Sequence, residues 1–417
     1  MLLQRPIPTF VTLGLFSVCG ACSDGSTPPS EESHTVRDSA GIEIVTNLRP
    51  QWLPGEEWRI AADPDVELGQ LEGNAAELFG RPSASFLSDR SILVSEQEYR
   101  ELRLFASDGT WLWTTGREGE GPGEFRSIEP ARILPGDTIL VFDGRARRAS
   151  WFAPSGQFIR SVRIETGDRA AVAMGVLDPD VWLYRSYLMV PDSSGLNRWR
   201  SEILLVESTG ARKAVLDTLT TDLSVQHVTG NRVAFVPLPF FARPIFAAGR
   251  GRAYVSDNTA WEILVYDSSG AVKRKIRRTW APQHVTDAHV EQRLDLQREF
   301  MTDWDVTDAQ KNAGLEMLEE GAGYTETLPA MEMFLVDRLG NLWVRDWAMP
   351  QRPHPERQFN VFDEHGLWLG PVTVPAGFGL SEIGDDYVVG IVEDELGVQR
   401  IRVHQLLKPQ RPAGQDS

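Results

Sequence analysis

Apolar and polar positions alternate in short runs along this chain, and the runs return in register. Ser91-Ile92-Leu93-Val94-Ser95-Glu96 stops on an acid; Phe105 lies nine positions after Glu96, and Gly109 four positions later. Ile139-Leu140-Val141-Phe142-Asp143 leads to Phe152 and Gly156 at the same offsets, and Ala253-Tyr254-Val255-Ser256-Asp257 leads to Tyr266 and Gly270. Leu342-Trp343-Val344-Arg345-Asp346 keeps the four-residue step from Phe362 to Gly366, while a Pro-rich insert widens its first step to sixteen. Alternating, β-branched runs predict strands, the acid marks a strand end, and the Gly supplies a positive φ for the next turn.

Gly109 to Gly156 is 47 residues and Gly156 to Gly210 is 54, spacings that suit one four-stranded antiparallel sheet per repeat. The pattern predicts an all-β chain, a six-bladed β-propeller over residues 41–408, with blades at about 78–117, 124–165, 172–217, 238–279, 328–373 and 375–408. The third and sixth are irregular: Val181-Trp182-Leu183-Tyr184-Arg185 and Ile203-Leu204-Leu205-Val206 keep strand character without the nine-residue step. The early strands Gly41–Val45 and Trp58–Ala61 precede the first full blade and need partners, and both are expected to complete blade six. Thirteen Trp can fill sheet-to-sheet interfaces, and 36 Gly with 26 Pro suit a turn-rich fold.

One region changes period. From Val285-Thr286-Asp287, apolar residues fall near helical spacing through Phe300, and Val306-Thr307-Asp308 opens a second such stretch. Each Thr is a candidate N-cap followed by an acid. A short helical insertion over 281–327, between blades four and five, follows.

The first 21 residues read as a signal peptide: Arg5, an apolar run from Phe10 to Val18, then Cys19-Gly20-Ala21-Cys22. The small residues before Cys22 resemble a bacterial lipobox, which makes Cys22 the lipidation site; an ordinary secretory signal with incidental cysteines is the other reading. Residues 22–40 then read as a flexible tether, and 409–417 as a disordered tail. Net charge is −17, and one unit more negative without residues 1–21. Such a surface repels nucleic acid and anionic lipid, and no nucleic-acid partner is expected. Membrane attachment would therefore rest on covalent lipid. Ser23 lacks the acid that favours inner-membrane retention, so an outer-membrane address is expected for a monomer.

Gly116-Arg117-Glu118-Gly119-Glu120-Gly121-Pro122-Gly123-Glu124-Phe125 resembles the inter-blade signature of NHL-repeat propellers, and the pattern around Leu140, Val141, Asp143 and Phe152 resembles the same repeat. The whole is similar to bacterial six-bladed propeller lipoproteins of the NHL/TolB-like class. That resemblance implies a periplasm-facing binding scaffold.

Reactive groups are scarce. Seven His occur without HxH, HxxH or HExxH spacing, only Cys19 and Cys22 are present, and no Gly-x-Ser-x-Gly occurs. Chemistry then falls to the acids that close the repeated strands. Propeller geometry puts the end of each second strand on the same face as the start of each innermost strand. Glu96, Asp143, Asp257, Asn258 and Asp346 should meet Arg81, Arg126 and Arg243 there, and Phe79-Gly80-Arg81-Pro82 and Phe241-Ala242-Arg243-Pro244 repeat one motif. Two readings stand: a ring that binds a polar ligand, or acids that bond the backbone of their own turns.

The leading expectation is a lipid-anchored, non-enzymatic scaffold for a protein or polar small molecule, with no cofactor. The alternative is a lactonase-like (gluconolactonase-like) hydrolase using Ca2+ or another divalent cation held by Glu96, Asp143, Asp257 and Asn258. A lyase or quinone-dependent oxidoreductase is disfavoured by the scarcity of placed His.

Overall fold

In the computed structural model, residues 32–70, 75–167, 170–191, 196–229, 232–302, 325–351 and 354–409 are described. The alternating runs form strands, and these assemble into six sheets. Sheet I shows the pattern: Pro82–Phe86, Ile92–Glu96, Glu101–Phe105 and Trp111–Thr115 pair antiparallel in that order. Its second strand is buried throughout because both faces are covered, whereas the outermost strand is exposed or half-buried. The turn into that strand needs Gly109, at φ +87, whose N–H donates to Ala106 O at 2.9 Å. Gly156, Gly210, Gly270 and Gly366 hold the same turn in sheets II to V, each at positive φ.

The innermost strands of sheets II to VI are Arg132–Leu134, Ala171–Asp178, Ile245–Gly249, Met331–Val336 and Gly379–Ile383. Six apolar clusters lie between neighbouring sheets. Leu93 and Leu104 pack with Phe125 and Ile139 between I and II; Phe142 and Trp151 with Trp182 between II and III; Leu183 and Leu205 with Phe246 between III and IV. Trp261 and Ile263 meet Phe334 and Phe362 between IV and V, and Trp343 and Phe359 meet Phe378 and Val388 between V and VI. Tyr387 and Val389 of VI close on Phe86 and Val94 of I, with the Phe86 and Tyr387 rings 4.3 Å apart. Every sheet therefore packs on two neighbours and the sixth returns to the first, the closed arrangement of a β-propeller. Each such aromatic removed from water contributes roughly 1.5–3 kcal/mol.

The N-terminal segment corrects one expectation. His34–Ser39 and Ile42–Asn47 form a hairpin whose second strand runs parallel to Val272–Arg278, the outermost strand of sheet IV, rather than joining sheet VI. That edge is free to be extended, and pairing there buries Ile44 and Val45. The chain next crosses sheet V, where Gln51 N and Trp52 N donate to Trp368 O and Leu369 O at 2.9 and 2.8 Å. Arg59–Ile60, as expected, then pairs with Gln399–Leu407, and Val66–Leu68 pairs with the same strand, because sheet VI has only three strands of its own. One continuous segment thus laces sheets IV, V and VI.

Asn47 locks it: fully buried, it donates Nδ2 to Arg277 O and Gly366 O at 3.1 and 3.0 Å and accepts from Trp368 N at 2.8 Å. The expected tether over 22–40 is shorter than anticipated, since His34–Ser39 is a paired strand. Sheet III is longer than anticipated and runs to Pro237, because the alternation through Thr218–Thr229 extends its fourth strand and a fifth, Arg232–Pro237, follows. Between sheets IV and V the described residues include the helix Asp287–Thr302. The second anticipated helical stretch, Cys22, the signal peptide and residues 410–417 fall outside the described residues.

Candidate binding site on the axial face and in the channel

Two of the strand-end acids hold backbone. Glu96 is fully buried; its carboxylate accepts from Arg81 N at 2.9 Å, Glu98 N at 3.0 Å and Gly80 N at 3.3 Å. Asp143, also buried, accepts from Arg126 N at 2.8 Å, Ala146 N at 2.9 Å, and Ser127 through N and Oγ at 3.1 and 2.9 Å. The repeat frame thus places Glu96 and Asp143 equivalently, each clasping the backbone of the Arg that precedes the innermost strand. Their oxygens are committed to protein donors.

Sheet IV uses an amide for the same task. Asn258 Nδ2 donates to Arg243 O at 3.0 Å and to Met331 O at 2.8 Å, while its Oδ1 accepts from Met331 N at 2.7 Å. The neighbouring Asp257 accepts from Thr259 N and Oγ1 in an exposed turn. Asp346 bonds Trp261 Nε1 at 2.8 Å and Arg278 at 2.6 Å, so it ties sheet V to sheet IV. The Arg278 guanidinium also lies 4.7 and 5.1 Å from the rings of Trp261 and Trp368. The anticipated acids and Asn258 are thus engaged with backbone, with their own turns or with side chains of a neighbouring sheet. The side chains of Arg81, Arg126 and Arg243 are exposed; Arg126 turns to Glu120 at 3.4 Å and Arg243 to Asp222 at 3.4 Å. Among the described residues, no group of three or more His, Cys, Asp or Glu could hold a metal ion.

A different set occupies the channel. Arg132 opens the innermost strand of sheet II; Ala131 and Ile133 on either side pack toward sheet I, which turns Arg132 the other way. Its guanidinium meets only Pro130 O and Ala131 O, at 3.3 and 3.5 Å, among the described residues. Burial pulls it down from the usual arginine range, and the charges of Glu129 and of Glu382, on the innermost strand of sheet VI, oppose that shift. Coulombic reach from sheet II to sheet VI spans the ring's interior.

Glu129 is half-buried, and enclosure by the protein pushes its carboxyl up from 4.5 to about 7. Arg132 and a hydrogen bond from the Ala173 backbone work against that rise, and Asp143 adds to it. Glu382 accepts from Tyr387 OH at 2.6 Å, Phe86 N at 3.2 Å and Arg338 at 3.0 Å. Arg338 also donates to Phe86 O, which ties sheets V, VI and I together at the ends of their innermost strands. Ser381 Oγ donates to Ala84 O at 3.0 Å and accepts from Ala84 N at 3.1 Å, so it bonds the innermost strand of sheet VI to that of sheet I.

The helix lies beside sheet IV. Phe240, just before the innermost strand of sheet IV, packs edge-on to His289 of the helix at 6.4 Å and to Trp347 at 6.2 Å. Helix residue Arg293 is pulled down by enclosure first and by the like charge of Arg243 second. Two guanidinium groups thus lie near one another beside the turn that Asn258 holds.

No protein-family model matches the chain, and no curated protein matches it in sequence. Solved structures share its shape loosely. An exported protein of Bacteroides fragilis, called putative, is 10% identical at a TM-score of 0.46, covering 88% of this chain and 100% of that one. A member of the DUF4221 family from Bacteroides vulgatus is 8% identical at 0.48, covering 85% and 99%. Virginiamycin B lyase from Staphylococcus aureus is 8% identical at 0.39, covering 84% and 100%.

Proposed function

We propose that this chain is a six-bladed propeller of the exported, lipid-anchored kind, held through Cys22 at the outer membrane, that binds a polar ligand at its axial channel. One observation carries the binding reading: Arg132 is enclosed, charged and left with two long carbonyl contacts among the described residues, between two acids. An enclosed guanidinium so poorly partnered is costly, and a ligand carboxylate or hydroxyl would supply the missing acceptors. The acids first suspected of metal chemistry are engaged in holding backbone, which weighs for a scaffold over a cation-dependent hydrolase.

The test is a thermal-shift screen of polar small molecules against the wild-type protein and Arg132→Gln. Ligands that stabilise only the wild type support the channel site. A screen whose ligands stabilise both proteins equally, or neither, overturns it. Anchoring is read separately: mass spectrometry of membrane-extracted protein should find Cys22 diacylated, and Cys22→Ser should release the protein to the soluble fraction.

A further inference from the structure

Although the chain is strongly acidic, sheet II gathers arginines at one recess. The glycine-rich loop that precedes its innermost strand is pinned from below by Arg148, which donates to Glu120 O at 3.0 Å, Gly121 O at 3.2 Å and Glu124 O. Glu124 in turn accepts from Gly121 N at 2.8 Å and from Arg117. The loop so fixed forms one wall of a recess of about 330 Å³ whose charged lining is Arg126, Arg145, Arg147, Arg148, Arg163 and Glu120.

Structure accounts for part of this set. Arg148 holds the loop and stands 4.0 Å from buried Asp143, and Arg147 donates to Gly167 O. It does not account for the rest. The side chains of Arg145 and Arg163 have no partner among the described residues, Arg126 has only exposed Glu120 at 3.4 Å, and the buried Arg148 Nε has none. Like charges held together without partners repel, and a chain of net charge −17 has no compositional reason to collect them. Planar guanidinium forks match the oxygens of a phosphate, and several forks around one small volume match its tetrahedral dianion better than a planar carboxylate.

We propose that this recess binds the phosphate monoester group of a small molecule. It is distinct from the channel around Arg132, so the two readings fail independently. Calorimetric titration of the full mature chain with inorganic phosphate and with a hexose 6-phosphate should show saturable binding. Arg145→Ala and Arg163→Ala should each weaken it about tenfold or more, as expected for loss of a hydrogen bond to a charged group. Arg163→Lys should fall between, and Arg37→Ala, at an exposed position on the N-terminal hairpin, should leave it unchanged. Neither substituted side chain bonds another group among the described residues, and thermal unfolding of each variant checks that the fold survives.

Vesicles of neutral lipid doped with phosphatidic acid form a second arm, with Cys22→Ser protein: co-sedimentation lost in Arg145→Ala/Arg163→Ala would assign the phosphate to a lipid headgroup, whereas binding of the sugar phosphate alone assigns a soluble ligand. The proposal is overturned if wild type shows no saturable phosphate binding in either arm, if the double variant binds as well as wild type, or if acetate binds as tightly as phosphate.

Discussion

Asn258 and Met331 exchange a reciprocal pair of hydrogen bonds, Oδ1 from Met331 N at 2.7 Å and Nδ2 to Met331 O at 2.8 Å, so that one amide side chain acts as a strand joining sheet IV to the innermost strand of sheet V. Asn258 also sits at φ +66, where Asn is better tolerated than most residues. Asn258→Ala should therefore cost about 2–4 kcal/mol, from two buried groups left unpaired and a strained backbone. Asn258→Gly should recover only about 1 kcal/mol of that, since it relieves the backbone and restores no bond. Urea denaturation of the three proteins gives both differences.

Asp143 answers whether the strand-end acids serve metal or backbone. Its oxygens take four donors, so Asp143→Asn turns an amide N–H toward at least one of them and should cost roughly 2–4 kcal/mol. The loss should be the same with and without added calcium. A loss that appears only in the presence of calcium would restore the cation reading.

Glu129 should make stability pH-dependent. Its carboxyl is raised in the folded protein to about 7 from an ordinary 4.5, so between those values the folded state holds more protons than the unfolded one and stability falls as pH rises. Its contribution is intact below about 4.5 and lost above about 7. The full penalty is about 3 kcal/mol. Glu129→Gln should flatten this slope and be more stable than wild type at pH 8, with little difference near pH 4; guanidinium denaturation across that range measures it.

The lacing segment should matter to the last sheets more than its length suggests. Asn47→Ala removes three bonds within a buried site and should cost about 2–4 kcal/mol. Deleting residues 33–60 would strip part of sheet VI's fourth strand and uncover the apolar surface that Trp52 and Trp58 shield beside Trp343. Light scattering on that variant should report aggregation.

Much of the ring was legible because its repeat is local: the turn glycines and the strand-closing acids recur at fixed offsets, and the structure places Glu96 and Asp143 in matching roles. Asn258 was singled out, but its reach to sheet V was not visible in a frame that describes one sheet at a time. Arg132 was missed for a related reason. It interrupts an apolar strand between Ala131 and Ile133, a signal that a charge is turned away from the core, yet its meaning depends on Glu382 in the last sheet. The partner of Ile42–Asn47 was illegible too, because edge pairing depends on which sheet leaves an edge free once the others have formed.

The lacing segment also sets the order in which the molecule can be finished. Its strands are made first, but Asn47 waits for Gly366 and Arg59–Ile60 for Leu406–Leu407, near the far end of the chain. Joining them closes a loop of nearly the whole protein, and that entropy must be spent before the contacts repay it. Sheets I to V can form as the chain lengthens, the N-terminal hairpin pairing once Val272–Arg278 is made, whereas VI stays incomplete until Gln399–Leu407 is present. Folding should accordingly show a late, slow step at sheet VI, and a chain cut short before residue 399 should leave Arg59–Ile60 and Val66–Leu68 unpaired, ready to stick to another copy.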